Sequence, residues 1–323
     1  MHPITHHGFY NTLERLIDAL LPLFNRTLID LNAPGYQNQR FHLASLFRET
    51  MIKREPGPFQ PPEQRARAQW LDHQGRYSDF IFADVKREFW NIGLQMVLQM
   101  REINLSQDSS STYDGEEWHV AGQMNERVCA TAHYVYSSQN ITQPTLSFRC
   151  RINPEEAGLA RGYIPTPPFA PEIYGAEDGD PAIQTLGSVI LREGRVVVFP
   201  NTFQTKLSPF GLADPSKPGN LSILTLHLID PNRRIMSTSM VPCQRRDWWA
   251  DAVRKACPRL WRLPNEVWER IVDSVDDWPL TMEEGMKMRR EFVEEREEFR
   301  RQHTESMEKY LPWDLRRLDE DDE

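Results

Sequence analysis

The feature that most constrains the fold of this chain is a change in character at Trp118. From there to about residue 245, short runs rich in Val, Ile, Thr and aromatic residues are separated by Gly, Pro and Asn. Five runs have the length and composition of β-strands: CATAHYVY, TLSFRCRI, LGSVILR, GRVVVFP and LSILTLHLI. So many short strands in succession predict a central antiparallel β unit rather than alternating βαβ units.

Helical spacing flanks this strand-rich region on both sides. Before it, apolar residues recur at three- and four-residue steps over 9–31, 63–73 and 79–103, and Pro22 is expected to kink or end the first helix. The same spacing returns after Asp247. The chain is therefore predicted to be α+β, with helices before and after the strands.

The predicted organisation has three parts. These are a helical N-terminal region over 1–117, a strand core over 118–247 and a C-terminal helical region with an acidic tail over 248–323. The insert at 153–181 is long for a loop, which suggests a lid or a subunit contact, and a homodimer stays open. The charged helix over 281–303 is expected to be solvated, with a partner-binding helix as the alternative.

Composition narrows the classes of partner. The net charge of −9 over 323 residues argues against a nucleic-acid partner, because phosphate binding needs clustered Lys and Arg. No apolar stretch approaches the roughly 18 residues of a membrane span, and no basic segment precedes the first apolar run as in a secretory signal. The four cysteines lack C-x-x-C spacing, so we expect reduced thiols and a cytoplasmic protein that binds no membrane.

A motif at the start of the strand region bears on chemistry. In EEWHVAGQMNE, His119 stands where H-x-D or H-x-E would supply two ligands of a non-haem iron site, but Ala121 has no ligand atom. A lone histidine is more often structural than functional. The neighbouring Trp118 and the polar residues Gln123, Asn125 and Glu126 favour a wet cleft around it.

Three stretches together carry a family resemblance: EEWHVAGQMNERVCATAHYVYSSQNIT, the segment 194–242 beginning GRVVVFPNTFQTKL, and RREFVEERE. Over roughly residues 90–300 the chain resembles DUF4246, a fungal family of unknown function that is similar to iron(II)- and 2-oxoglutarate-dependent oxygenases. The resemblance implies a double-stranded β-helix core of the jelly-roll or cupin type. Typical members carry W-H-V-E-G, F-P-N-x-x-Q-H and K-P-G-H-R. Here His119 is kept, whereas Ala121, Thr205 and Leu221 replace the acid, the second His and the Arg.

These replacements predict that the iron chemistry is lost. A facial triad holds iron through three ligands, and a single imidazole with a neutral Thr hydroxyl is a poor substitute. A leucine in place of the arginine removes the bidentate anchor for 2-oxoglutarate. We therefore expect no metal and no cofactor, although His133 or His227 could in principle rescue a metal site. An oxygenase with non-standard ligands accordingly remains an alternative.

A vacated barrel pocket predicts a metal-independent cyclase or isomerase, including pericyclic chemistry. Its expected substrate is small and hydrophobic, because the replacements enlarge the pocket and make it more apolar. The resemblance to a fungal family implies that this substrate is an intermediate of fungal secondary metabolism. A non-catalytic pseudo-oxygenase that binds a ligand or partner is the second hypothesis. His119, Ala121, Thr205 and Leu221 are expected to line one cavity. The predicted catalytic residues are His119, Gln204, Thr205 and Lys206, and the predicted substrate-binding residues are Trp118, Ala121, Asn125, Tyr134, Arg149, Leu221, Thr225 and His227.

Overall fold

The structure, a computed structural model, describes the chain in segments. The described residues are 6–32, 84–107, 110–151, 180–181, 183–241, 243–275 and 279–309. The helix expected over 63–73 lies outside them, as does the insert at 153–181 apart from its last two residues. Helices lie at both ends of the described chain and antiparallel sheets lie between them, so the architecture is mixed α+β.

The described helices agree with the predicted flanking segments. They are α1 His7–Asn32, α2 Val85–Glu88, α3 Arg246–Ala256, α4 Pro258–Trp261, α5 Asn265–Asp273 and α6 Met282–Lys309, with a 3-10 turn at Met124–Glu126. Pro22 was expected to kink or end the first helix; it does not end it, because α1 continues through it. The buried side chains of Leu20, Leu21 and Phe24 surround this proline, and their packing outweighs the lost backbone hydrogen bond.

Nine described strands form three sheets with antiparallel pairing throughout. The strands are β1 Met96–Leu105, β2 Thr112–Tyr113, β3 Val128–Gln139, β4 Thr145–Arg151, β5 Ile183–Ile190, β6 Val196–Pro200, β7 Gln204–Leu207, β8 Phe210–Gly211 and β9 Gly219–Ile229. The sheet orders are β1-β9-β3-β6, β5-β4-β7 and β2-β8. The five strands predicted from the sequence are confirmed as β3, β4, β5, β6 and β9.

The helix predicted over 79–103 is wrong for its second half, which forms β1. This strand pairs with β9 from Met96 opposite Leu228 to Leu105 opposite Gly219. Nearly every residue of β9 is buried, so an unpaired β9 edge would leave backbone groups without partners away from water. The need to pair this edge overrides the helical spacing. The sheet thus includes residues from the region before 118 that was expected to be helical.

Two hydrophobic clusters place the sheets in layers. The first joins α1 to one face of the four-stranded sheet and includes Phe24, Ala132 and Leu226. The second lies on the opposite face of that sheet, against strands β4 and β7, and includes Phe148 and Leu207. The four-stranded sheet is therefore covered by a helix on one side and by the second sheet on the other.

Two further features of the described residues are the character of the helices and the state of the cysteines. No helix among the described residues is long and apolar enough to cross a bilayer. Cys129, Cys150, Cys243 and Cys257 are free thiols.

Candidate functional site

A cavity of about 580 Å³ opens between the two larger sheets and is bordered at its mouth by α6. Its inner wall is apolar and is shared with the hydrophobic cluster between the sheets. Its remaining wall is polar and contains three histidines. The apolar lining residues are Leu146, Leu191, Phe199, Leu207 and Ile223, and the polar ones on the strands are Gln99, Arg101, Thr131, His133, Thr205, Thr225 and His227.

Strand alternation explains which side chains face this cavity. Successive side chains of a strand point to opposite faces, so Thr131 and His133 of β3 lie on the cavity side while Ala132 packs toward α1. In β9 the same period directs Thr225 and His227 into the cavity. Alternate residues of the two central strands, β3 and β9, therefore form much of the polar wall of the cavity.

His119 reaches the cavity through a backbone bridge to Thr205. The His119 N–H donates to the Thr205 carbonyl at 3.1 Å, and the Thr205 N–H donates back at 2.8 Å. The His119 Nδ1 lies 3.0 Å from the Glu117 carbonyl oxygen. A carbonyl can only accept, so Nδ1 carries the hydrogen and Nε2 carries the lone pair. Among the described residues Nε2 has no hydrogen-bond partner, which leaves it free to accept a proton.

Asn201 holds the segment that carries His119. Its side-chain oxygen accepts from the Ala121 N–H at 3.2 Å, and its amide donates to the carbonyls of Ala121 at 2.8 Å and Val128 at 3.1 Å. Gly122 then turns the chain at φ 69°, where a Cβ would lie 2.8 Å from a carboxylate oxygen of Glu126. Sequence reasoning assigned Asn201 no role, although the VFPN motif marked it.

Burial keeps the histidines of the cavity neutral. It lowers the pKa of His133 to about 3, helped by the nearby His227, and lowers the pKa of His227 to about 4, helped by Arg296. Their Nδ1 atoms contact the hydroxyls of Thr225 and Thr131 at 2.9 and 3.0 Å, respectively. Two neutral imidazoles beside hydroxyl groups form a polar but uncharged wall.

The pKa of His119 is also lowered, but by opposing influences. Burial lowers it, whereas the hydrogen bond to the Glu117 carbonyl and the charge of Glu116 raise it. The net effect leaves His119 neutral near pH 7. A neutral imidazole with a free Nε2 is the form that acts as a general base.

Charged residues crowd the mouth of the cavity, which differs from the apolar pocket expected from the sequence. Arg101 forms an ion pair with Glu116 and donates to the Tyr113 hydroxyl at 2.7 Å. Burial alone would raise the pKa of Glu116, but Arg101 outweighs it and holds that pKa below its usual value. The mouth also receives Arg296, Glu297, Arg300 and Arg301 from α6. The helix expected to present a solvated face therefore also forms part of the site.

Arg149 and Gln204, both predicted to be functional, anchor α6 and do not line the cavity. Gln204 is fully buried and accepts from Arg149 Nε at 2.6 Å. Arg149 also pairs with Glu308 at 2.9 Å, and its guanidinium lies 4.7 Å from the Trp118 ring centre. Thr304 of α6 donates to the Trp118 carbonyl at 2.8 Å. This network fixes the residue next to His119.

Four other predicted site residues lie outside the cavity lining. Lys206 follows Thr205 on β7 and points to the opposite face, and Tyr134 packs toward α1 for the same reason. Leu221 is fully buried in the cluster between the sheets. It lies two residues before Ile223 on β9, which is the last apolar residue of this strand to line the cavity. Asn125 is exposed on the 3-10 turn. The predicted residues that do line one cavity are Trp118, His119, Ala121, Thr205, Thr225 and His227.

Replacing Arg149 by methionine is expected to loosen α6. The change leaves the buried Gln204 without its donor, which costs about 2 kcal/mol in the free energy of unfolding. It also removes the ion pair to Glu308, so hydrogen exchange in the last turns of α6 should accelerate. The measurement is urea unfolding together with amide exchange. The exposed Arg192 provides the control R192M, and equal stability of both variants would contradict this role for Arg149.

The buried histidines predict a pH dependence of stability. The pKa of His227 is lower in the folded protein than in the unfolded chain, so the unfolded chain binds the proton more readily and the free energy of unfolding decreases as pH falls. From about pH 6.5 downward this amounts to about 1.4 kcal/mol per pH unit. The variant His227→Asn lacks this group, so the difference in the free energy of unfolding between the unmodified protein and the variant should shrink as pH falls. We expect it to shrink by about 1.4 kcal/mol per pH unit until the pH reaches the folded-state pKa of about 4. A gap that stays constant in urea titrations from neutral to acidic pH would contradict the prediction.

The donor atoms do not fit the iron centre that the family resemblance implies. Ala121 offers no side-chain ligand, Thr205 offers a neutral hydroxyl, and the position of the expected arginine is held by the buried Leu221. Among the described residues, no three His, Cys, Asp or Glu side chains come together in an arrangement that could hold a metal ion. No step of the chemistry is therefore assigned to iron or 2-oxoglutarate.

Comparison with known proteins gives a family and several distant structural likenesses. A family model described as protein of unknown function (DUF4246) matches residues 1–252. No curated protein matches the sequence significantly. Three solved structures that resemble the chain do so remotely. Their TM-scores are 0.18 for protein NMB1881 from Neisseria meningitidis, 0.20 for a hydroquinone 1,2-dioxygenase in complex with Cd2+ and 4-hydroxybenzonitrile, and 0.17 for the Kdo hydroxylase, a non-heme Fe(II) alphaketoglutarate dependent dioxygenase.

The extent of these likenesses is also limited. Protein NMB1881 is 11% identical over 42% of this chain, and the hydroquinone dioxygenase is 13% identical over 43%. The Kdo hydroxylase is 12% identical over 54% of this chain. The matched regions span 84%, 60% and 66% of the three other chains. Likenesses at this level assign no activity to the protein.

Proposed function

This chain belongs to the DUF4246 family, and we propose that it is a metal-independent enzyme that isomerises or cyclises a small organic molecule by proton transfer at His119. The imidazole takes a proton from a carbon of the substrate and returns it to another atom of the same molecule. The product then has the molecular formula of the substrate. Neither an oxidant nor a co-substrate is consumed.

The observation that carries this proposal is the free Nε2 of a neutral His119 at the wall of a cavity. The contact of Nδ1 with the Glu117 carbonyl at 3.0 Å fixes the tautomer, and the bridge to Thr205 fixes the backbone. A base that is neutral near pH 7 and held in position has the two properties that general-base catalysis needs. This arrangement supports catalysis over a purely structural role for the histidine.

The rest of the cavity supports the same chemistry. The apolar wall around Phe199 and Ile223 can hold a hydrocarbon part of the substrate against one side. The hydroxyls of Thr205 and Thr225 can donate hydrogen bonds to an oxygen on which negative charge develops. Holding a flexible molecule between these two walls would also favour ring closure by bringing its ends together.

We also propose that the two larger sheets are the halves of a double-stranded β-helix, as the family resemblance implies. Their antiparallel pairing and the hydrophobic cluster between them support this assignment. A crystal structure in which the two sheets share no common core would contradict it.

The function can be tested before the substrate is known. Purified protein would be treated with EDTA and incubated with small-molecule extracts, and high-resolution mass spectrometry would compare the unmodified protein with the variant His119→Gln. We expect one compound to be consumed and another of identical mass but different retention time to appear, with the unmodified protein only. A product that gains an oxygen atom, and is lost on EDTA treatment, would contradict the proposal.

The non-catalytic alternative predicts a different result in the same experiment. A ligand-binding protein would enrich one compound from the extract without converting it. The open cavity supports a small-molecule site over a barrel filled by its own side chains, and it suits a ligand-binding protein as well as an enzyme. The free Nε2 of His119 at its wall is the feature that favours the enzyme.

A further inference from the structure

We propose that the cavity binds the carboxylate group of an organic anion at Arg300, with the apolar part of the same molecule against the inner wall. This inference rests on the proposed function, because it names the class of substrate for the same site. It departs from the apolar substrate expected from the sequence. It also assigns a binding role to a residue of α6, a helix that was expected to be solvated.

The first observation is that the other arginines at the mouth already have partners. Arg101 is paired with Glu116, and Arg296 is paired with Glu126, to which its Nε donates at 3.0 Å. Arg301 is held by two acids of its own helix, at 2.7 and 2.8 Å. None of these three guanidinium groups is free to receive a ligand without giving up an ion pair.

The second observation is that Arg300 has no such partner. It lines the mouth, and it makes no hydrogen bond or ion pair with any described residue. The nearest acids are Glu116, which is already paired with Arg101, and Glu297, one turn earlier on α6; both affect Arg300 only through their charges. Burial and the nearby Arg296 lower the pKa of Arg300, although the charges of Glu116 and Glu297 raise it. A guanidinium at the mouth without a protein partner can pair with an anion that enters the cavity.

The chemistry of the cavity favours a carboxylate over a phosphate. A phosphate carries more charge and is commonly held by several cations or backbone N–H groups, whereas one unpaired guanidinium matches a single carboxylate. The inner wall of Leu146, Phe199 and Ile223 would be left bare by a small inorganic ion. A molecule with a carboxylate at one end and an apolar body at the other satisfies both parts of the cavity.

The test uses benzoate, its neutral counterpart benzamide, and inorganic phosphate as probes. Binding to the full-length protein would be measured by calorimetry and by NMR shifts of the His119 ring. We expect benzoate to bind in the millimolar range or better, to shift His119, and to bind at least about tenfold more weakly to the variant Arg300→Gln. Benzamide should bind more weakly than benzoate and be unaffected by the substitution.

The matched control is Arg290→Gln, which removes the same charge from an exposed position of α6 outside the cavity. It should leave benzoate binding unchanged. Absence of benzoate binding, equal loss in both variants, or preferential binding of phosphate would overturn the inference. The failure of the proposed function is separable: benzoate binding that needs Arg300 in a protein without isomerase activity would uphold this inference alone. Conversely, turnover of a substrate without an anionic group, unchanged in Arg300→Gln, would overturn this inference alone.

Discussion

Replacing His119 by glutamine is expected to reduce turnover by about 10²–10⁴-fold, the usual contribution of a positioned general base. Glutamine preserves much of the side-chain volume and can still form hydrogen bonds, but it cannot accept and return a proton. The backbone bridge between residues 119 and 205 does not depend on the side chain, so the fold should be retained. The measurement is the rate at which the isomeric product appears in the mass-spectrometric assay.

Two comparisons make this result specific. His7→Gln removes an exposed histidine of α1 and should leave the rate unchanged. The melting temperature of His119→Gln should stay close to that of the unmodified protein. A folded variant that retains its rate within a factor of a few would remove His119 from the mechanism.

Replacing Phe24 by alanine is expected to lower the free energy of unfolding by about 3–5 kcal/mol, as for other fully buried aromatic residues. Phe24 is fully buried, and it lies in the cluster between α1 and the four-stranded sheet. Its removal leaves a void among Ala132, Leu226 and their neighbours, which are fixed by strand pairing and cannot close it. Urea unfolding measures the effect directly.

The adjacent Leu23 provides the control for this prediction. Its side chain is 44% exposed on the same helix, so L23A keeps the backbone environment and removes little buried area. We expect a loss below about 1 kcal/mol for L23A, as for most surface substitutions. Similar losses for the two variants would mean that α1 does not pack on the sheet as described.

The strands could be predicted from the sequence because the residue types within each run and the residues at its ends both indicate a strand. Runs such as CATAHYVY are β-branched and aromatic and end at residues that favour turns. The segment that forms β1 gave the opposite signal, because Met96, Val97 and Met100 have helical spacing. Its conformation is decided by β9, more than a hundred residues later, and no local pattern contains that information.

Which residues of a strand face the cavity was harder to predict than the presence of the strand itself. Alternation allows two choices for each strand, and the sequence alone does not say which face is inward. The family resemblance favoured Thr205 over Lys206, and Thr205 does line the cavity. On β3 the sequence analysis chose Tyr134, but its neighbour His133 faces the cavity instead. Once one residue is placed, as Thr131 is by its contact with His227 at 3.0 Å, the facing of the central part of β3 follows, up to the register shifts near its two ends.

The charged mouth could not be predicted at all. Arg296 and Arg300 lie in a helix whose alternating acids and bases look like those of a solvated surface. Their position over the cavity depends on the contacts of Thr304 with Trp118 and of Glu308 with Arg149, which join residues more than 150 apart. Only the folded structure brings them together.

The tautomer and ionisation of His119 test the central claim most directly. NMR spectra of the protein with 15N-labelled histidine, assigned with His119→Gln, report which ring nitrogen carries hydrogen. We predict a neutral ring at pH 7 with hydrogen on Nδ1 and an unprotonated Nε2, unchanged by EDTA. A doubly protonated ring, hydrogen on Nε2, or a metal ion bound at Nε2 would contradict the account.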